Sequence, residues 1–407
     1  MNVATEKDDR PFLRGADTCD PVAAWLRARP HFERGPWHSE TCAFDGAPVT
    51  IRSRSEDVIA YLRGHISAFH PNTATTAARQ PKCWVEIHFL NGEYIDDIVL
   101  PEDGQAFQVS AAELPKPDAL MRSREFVHAR WPGIESFWRP VDLLASLAFS
   151  QPAMVRLLVV GSTLRENKFV QETPLRLKVS ERVEYRGQRA KPDGPVHQLV
   201  PMDEIADLVR IMTIRAYGHF CLHAATVAKG ERGAMLIGPS GSGKTTTALA
   251  LLRGGFEILT DEFSVLNANP EPVQLTGFKR ALEVVGGAPA TLAELEQTLG
   301  AGRAGKTRFR PPNEMNPANG RWVHPAAMFF LQLRPGQSRH QVKPVRREEA
   351  FVRVTNQVLD PTNVFRRDEQ AQALIRLVEA CPAYELTLGN HLASLPELVG
   401  NVVGGPQ

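Results

Sequence analysis

One stretch constrains this chain more than any other: GPSGSGKT, residues 238–245, set between the apolar run AMLI and the run TTALALL. Gly238, Gly241 and Gly243 allow a tight loop whose successive backbone N–H groups turn toward one point. A helix opening at Lys244 adds its positive dipole end there. The pattern GxxxxGK[ST] is matched in full, and a strand before it with a helix after it is the setting that its chemistry needs. The expectation is a nucleoside triphosphate site, with Gly238, Ser240, Gly241, Ser242, Gly243, Lys244, Thr245 and Thr246 around the phosphates of ATP. Lys244 would reach the β- and γ-phosphates and Thr245 would ligate Mg²⁺. A structural glycine turn is the bland alternative.

Such a loop dictates its neighbours. FCLHAATVAKGERGAMLIG reads as two strands joined by a Lys-Gly turn, and FEILTDEFSVL as the strand beyond the helix. Strand, glycine loop, helix, strand is a parallel βαβ unit, so this half of the chain is α/β. The second strand ends on Asp261-Glu262, sixteen residues after Thr245 with one helix between. An ordinary ATPase of this class carries its acid on a strand well separated from the loop. Two adjacent acids on the very next strand would set one carboxylate near the metal and one near the γ-phosphate. A kinase needs that pair, one group for Mg²⁺ and one for the acceptor's proton; a solvated strand end is the alternative. His223, among small and apolar residues in the strand before the loop strand, reads as either a packed core histidine or a catalytic one.

His223-Ala224, then GPSGSGKT, then LLRGGFEILTDE together resemble the HPr kinase/phosphorylase superfamily, whose catalytic domain is a P-loop variant related to phosphoenolpyruvate carboxykinase. The resemblance runs from about residue 222 to 266 and rests on order and spacing. It implies Lys244 on the phosphates, Thr245 on Mg²⁺, Asp261 as general base on the acceptor hydroxyl and His223 as an active-site partner. Glu262 stands where the family has a second Asp, which keeps the charge on a longer arm. The family's further Mg²⁺-binding Glu falls nearest to Glu283, in ALEVVGG, where the family's Arg is missing. A transfer-assisting Arg would come from Arg308, Arg310 or Arg321 in KTRFRPPNEMNPANGRW.

Composition sets the remaining bounds. Lys plus Arg (47) nearly cancels Asp plus Glu (46), which argues against a nucleic-acid partner because that needs a basic excess. The five cysteines are scattered without CxxC spacing, so neither a disulfide framework nor a zinc site is expected, and a reducing cytoplasm fits. MNVATEKDDRPFLRG is charged and has no apolar core, so a signal peptide is not expected, and without a run of about eighteen apolar residues neither is a transmembrane segment. The 407 residues suit more than one domain. We expect a loose terminus at 1–15, an α+β domain at 16–200 whose role the sequence leaves open, with acceptor binding as one candidate, and a P-loop kinase domain at 201–403.

In the N-terminal half, CAFDGAPVTIRS and CWVEIHFLNGEYIDDIVL carry the Asp-Gly and Asn-Gly hairpin signals. Residues 56–69, VDLLASLAF and VRLLVVG have helical spacing, the last two being short enough for strands. MDEIADLVRIMTIRAYG is a helix with Ile205, Leu208, Val209, Met212 and Ala216 on one face. Residues 291–322, rich in Gly, Arg and Pro, read as a long mobile loop. The function expected is transfer of the γ-phosphate of ATP to an alcohol. The acceptor is a serine of a protein or peptide, or else a lipid or small-molecule alcohol; WPGIESFW with VDLLASLAF is the one aromatic-apolar cluster that could line a groove for a lipid, and core of the N-terminal half is the favoured reading of it. A regulator that binds nucleotide without turning it over is the third class, and a homo-oligomer is compatible with each.

Overall fold

The computed structural model describes residues 21–27, 35–44, 47–56, 58–60, 62 and 83–91, further strands between 107 and 161, two paired residues each at 184–185 and 188–189, and residues 202–404. Within the last span it leaves out 268, 270, 279–281, 286–297, 302–305, 310–320, 335 and 360–365. The chain is a mixed α/β protein built on two eight-stranded sheets.

The first sheet follows helix α1 (Pro21–Arg27). It contains β1 (His38–Phe44), β2 (Ala47–Ser53), β3 (Cys83–Asn91), β6 (Ala119–Arg122), β7 (Val127–Trp131), β8 (Ile134–Arg139), β9 (Leu144–Gln151) and β10 (Met154–Gly161), in the order β1-β2-β3-β10-β9-β8-β7-β6. Two small hairpins stand apart from it: β4 (Phe107–Val109) with β5 (Ala112–Leu114), and β11 (Glu184–Tyr185) with β12 (Gln188–Arg189). β1 and β2 pair antiparallel with Phe44 opposite Ala47, and Asp45-Gly46 between them lies outside the described residues. The chain following Asn91 lies outside the described residues; β3 itself pairs in parallel with both β2 and β10.

VDLLASLAF and VRLLVVG fall on β9 and β10, an antiparallel pair of strands rather than helices. The reason is burial on both faces. Val155, Leu157 and Val159 face one core while their neighbour Leu158 is buried on the other side, so the period-2 alternation of a half-exposed strand is erased. Across β2, β3 and β10, Arg52, Glu86 and Arg156 stand in one row. Arg52 Nη2 and Arg156 Nε lie 2.7 and 2.9 Å from opposite oxygens of Glu86, and His88 Nε2 lies 2.5 Å from the second. Burial works against ionising Glu86, but the His88 hydrogen bond and the charges of His88, Arg156 and Arg52 prevail and hold its carboxyl well below the usual range.

Helix α2 (Met202–Ile214) joins the sheets. Val209, Met212 and Ile214 share one core with Val49, Ile51, Val85 and Ile87 of the first sheet and with Cys221, Val265 and Phe278 of the second. Val209, Met212 and Ala216 are buried as the pattern requires; the side chains of Ile205 and Leu208 lie outside the described set. Buried Arg210 sits 3.8 Å over the ring of Phe278 and 3.8 Å from Asp207, which offsets part of its desolvation.

The second sheet comprises β13 (His219–Lys229), β14 (Arg232–Ile237), β15 (Glu257–Thr260), β16 (Phe263–Asn267), β17 (Gln274–Gly277), β21 (His324–Leu333), β22 (Gln341–Val345) and β23 (Ala383–Leu388). Its order is β17-β16-β13-β14-β21-β23-β22, with β15 also on β13. Helices α3 (Lys244–Arg253) and α6 (Leu395–Gly404) cover one face. Helices α4 (Arg347–Thr355) and α5 (Arg367–Ala380) cover the other.

Two expectations are corrected here. β14 and β15 are parallel but not adjacent: β13 lies between them, antiparallel to both. The Lys229-Gly230 turn, with Gly230 at φ +58°, folds β13 straight back onto the edge of β14, so α3 must cross over it. Residues 291–322 are also not one loop. They contain β19 (Thr298–Ala301) and β20 (Lys306–Phe309), which form a small sheet with β18 (Leu282–Val285).

Candidate functional site

The glycine loop leaves the C-terminal end of β14. Gly241 and Gly243 have φ of +82° and +93°, the left-handed region that other residues enter only with strain. A Cβ on Gly243 would also lie 2.9 Å from Leu388 Cδ1. Helix α3 opens at Lys244 directly beyond. The Lys244 ammonium is almost buried and donates to Gly238 O at 2.7 Å and Pro239 O at 3.2 Å, so it lies folded across the loop's own carbonyls.

The acidic pair sits on a broken strand. β15 and β16 both run antiparallel to β13, and residues 257–267 form one strand interrupted at Asp261-Glu262. A register shift opposite Thr226 and Val227 marks a bulge. Ile258 packs into the core under α3. Three residues on, an unbroken strand would point Asp261 to the opposite face; the bulge restores it to the α3 side. There Asp261 Oδ2 accepts a hydrogen bond from Thr245 Oγ1 at 3.3 Å. Thr260 holds the bend, its Oγ1 accepting the N–H groups of Phe263 at 3.0 Å and Glu262 at 3.3 Å.

His223 is half-buried on β13, opposite Phe263. Ala224 pairs with Ile237, so the same register sets His223 beside Gly238, where the loop departs. Alternation places it on the face of Ala225 and Val227, which pack under α3. Its N–H donates to Gln357 O at 2.7 Å, because residues 357–359 fill the strand edge that β14 vacates. The strand β13 thus brings three separate motifs to one end of the sheet: His223 in its middle, the glycine loop on one edge and the acids on the other.

Other expected residues fare differently. Glu283 lies on β18, which runs beside α3, with its backbone paired to Arg308. The side chains of both, and Arg310 altogether, lie outside the described residues. Arg321 is removed as a candidate. It pairs with Glu257 at 3.3 Å and also donates to Gly230 O, both at the opposite end of strands β14 and β15, about 20 Å from the loop. Trp131 and Ile134, at the facing ends of the paired strands β7 and β8, are buried, while the side chains of Phe137 and Trp138 and most of those in VDLLASLAF lie outside the described residues.

Some site residues carry no motif at all. Gly277 lies so close to Thr260 that a Cβ would meet its Cβ and Cγ2 at 2.3 and 2.4 Å. Leu388 and Leu333 cover Gly243 from another strand pair. Thr260, one residue before the acids, has a local signal: a Thr ahead of a bend can accept the N–H groups two and three residues on. The contacts of Gly277 and Leu388 are long-range and leave none.

Among the described residues no group of three or more His, Cys, Asp or Glu is arranged to hold a metal, and no helix is long and apolar enough to cross a membrane. The Thr245 hydroxyl and Asp261 carboxylate are two adjacent oxygen donors of the kind that, with waters and phosphate oxygens, suit Mg²⁺.

No protein-family model matches this chain, and no curated protein matches it. Among solved structures, the Hpr(Ser) kinase/phosphatase from Coxiella burnetii aligns with a TM-score of 0.21 and 12% identity, over 45% of this chain and 93% of that one. Superposition at that level does not establish a common fold, and it adds nothing to the site geometry.

Proposed function

We propose that this chain is an ATP- and Mg²⁺-dependent phosphotransferase acting on an alcohol, with a serine of a protein or peptide as the acceptor. The observation that carries the reading is the Thr245–Asp261 hydrogen bond. It joins the residue after the loop lysine to an acid aimed by its own bulge, with His223 on the same face. A structural glycine turn has no use for such an acid.

In this reading Lys244 exchanges its two loop carbonyls for phosphate oxygens, and the backbone N–H groups of Ser240, Gly241 and Gly243 hold the phosphates. Thr245 and the neighbouring acid Glu262 would hold Mg²⁺, which would supply positive charge to the phosphoryl group. Asp261 takes the proton of the acceptor hydroxyl. The hydroxyl oxygen forms its bond to the γ-phosphorus in line as the bond to the β–γ bridging oxygen breaks, and ADP leaves. His223 lines the same face and orients the acceptor or the acid.

Residues 201–403 would form the catalytic body and 16–200 the acceptor-binding part, a division supported by the two separate sheets. A second assignment has the same observation behind it. Asp261, bonded to Thr245, would itself ligate Mg²⁺ and leave the proton to Glu262 or His223.

Asp261→Asn, tested with γ-labelled ATP and a cell extract split into protein and lipid phases, separates these readings. With Asp261 as base, Mg²⁺-ATP binding persists and label in protein falls about a hundredfold or more. With Asp261 on the metal, the Mg²⁺ dependence of ATP binding is lost as well. Wild-type protein that binds no ATP, or labelling unaffected by the substitution, would refute the proposal.

A further inference from the structure

The parallel strands β14, β21 and β23 end at the same edge of the sheet, so the glycine loop and the loops at 334–340 and 389–394 are side by side. The acids lie beyond the other flank of β14, on the far side of β13. A nucleoside triphosphate on this loop is therefore polarised. Its γ-phosphate belongs on the side of Thr245 and the acids at 261–262, and an extended triphosphate must carry its nucleoside the opposite way, over the ends of β21 and β23.

That ground is prepared in two respects. Leu333, the last residue of β21, is 56% exposed, and its Cδ2 lies 3.7 Å from where a Cβ on Gly243 would stand. It is an open apolar surface beside the phosphate cradle. The loops around it are tied together. His340 Nδ1 accepts the Gly389 N–H at 2.9 Å, which leaves the proton on Nε2 to be donated to His391 O at 2.9 Å. Asn390 N donates to Gln337 O at 3.1 Å, and Gly389 is pressed so closely on Arg339 that a Cβ there would lie 2.7 Å from its backbone. A fixed floor loses little order when a flat ring settles on it.

We propose that Leu333, framed by the His340-linked loops at 334–340 and 389–391, is the nucleoside platform, carrying the apolar face of the base and sugar. The proposal rests on residues 238–245 binding a triphosphate. It assigns specificity to the side of the loop away from the acids.

The test compares wild type, Leu333→Ala and Leu333→Met by titration calorimetry with Mg²⁺-ATP and with Mg²⁺-tripolyphosphate, which has the phosphates and no nucleoside. Losing the apolar contact should weaken ATP binding about five- to tenfold in Leu333→Ala and leave tripolyphosphate unchanged, while Leu333→Met restores ATP binding. Equal ATP affinity in all three proteins would overturn the platform. So would equal weakening of both ligands, because Leu333 would then be shaping the loop and not meeting the nucleoside. Wild-type protein that binds neither ligand would overturn the triphosphate reading beneath it.

Discussion

Thr260→Val tests how the acids are aimed. Thr260 is 3% exposed, and its hydroxyl accepts two backbone N–H groups, those of Glu262 and Phe263, at the bend that carries Asp261. Phe263 directs its C=O toward Phe278 N at 3.0 Å, away from β13. Valine keeps the volume and removes the acceptor. One buried N–H left without a partner costs about 1–3 kcal/mol, and the longer second bond adds less, so the expected loss is about 2–3 kcal/mol. Thr260→Ser keeps both bonds and loses the Cγ2 methyl packed on Gly277, which costs about 1 kcal/mol. Strand propensity and apolarity favour valine, so the two arguments have opposite signs. Thermal melts of the three proteins decide between them. The valine variant should melt below the serine variant by about 3–5 °C, with weaker Mg²⁺-ATP binding than wild type. A valine variant as stable as the serine variant would refute the role given to the hydroxyl.

Glu86→Gln should cost about 3–5 kcal/mol near neutral pH, because Arg52 and Arg156 would remain buried around a neutral group. The folded carboxyl is held below its usual range, so its stabilisation is complete above the unfolded value near pH 4–5 and is lost as pH falls toward the folded one. Urea midpoints between pH 3 and 7 should accordingly vary less in the variant than in wild type, and parallel curves would refute the assignment. Burial raises the thiols of both Cys83 and Cys381 to about 12, against an opposing pull from Arg215 on Cys83. Iodoacetamide at pH 8 should leave both unmodified in the folded protein and modify them in denaturant; alkylation of the folded protein at a free-thiol rate would be the contrary result.

Much of the C-terminal half is legible because its signals are local. The Lys-Gly turn, the glycine loop, the helix at Lys244 and the strand before Asp261 each follow from a few neighbouring residues, and each stands where its pattern sets it. The N-terminal half is less so. VRLLVVG is buried on both faces, and a continuous apolar run has no period to read. Residues 291–322 conceal two strands for a different reason: β20 pairs with β19 on one side and, on the other, with β18, which lies outside the segment.

The same division runs through the site. Which groups are available follows from short segments alone, because backbone conformation and side-chain chemistry are local: a glycine loop, a lysine, a threonine, two acids and a histidine. Where they point is set by long-range pairing. β13 between β14 and β15, the bulge that turns Asp261 toward Thr245, the removal of Arg321 to the far end of the sheet and the seating of Leu333 over Gly243 all depend on pairing between strands distant in the chain. Pairing of that kind is set by register and packing across the whole sheet, which no single segment encodes.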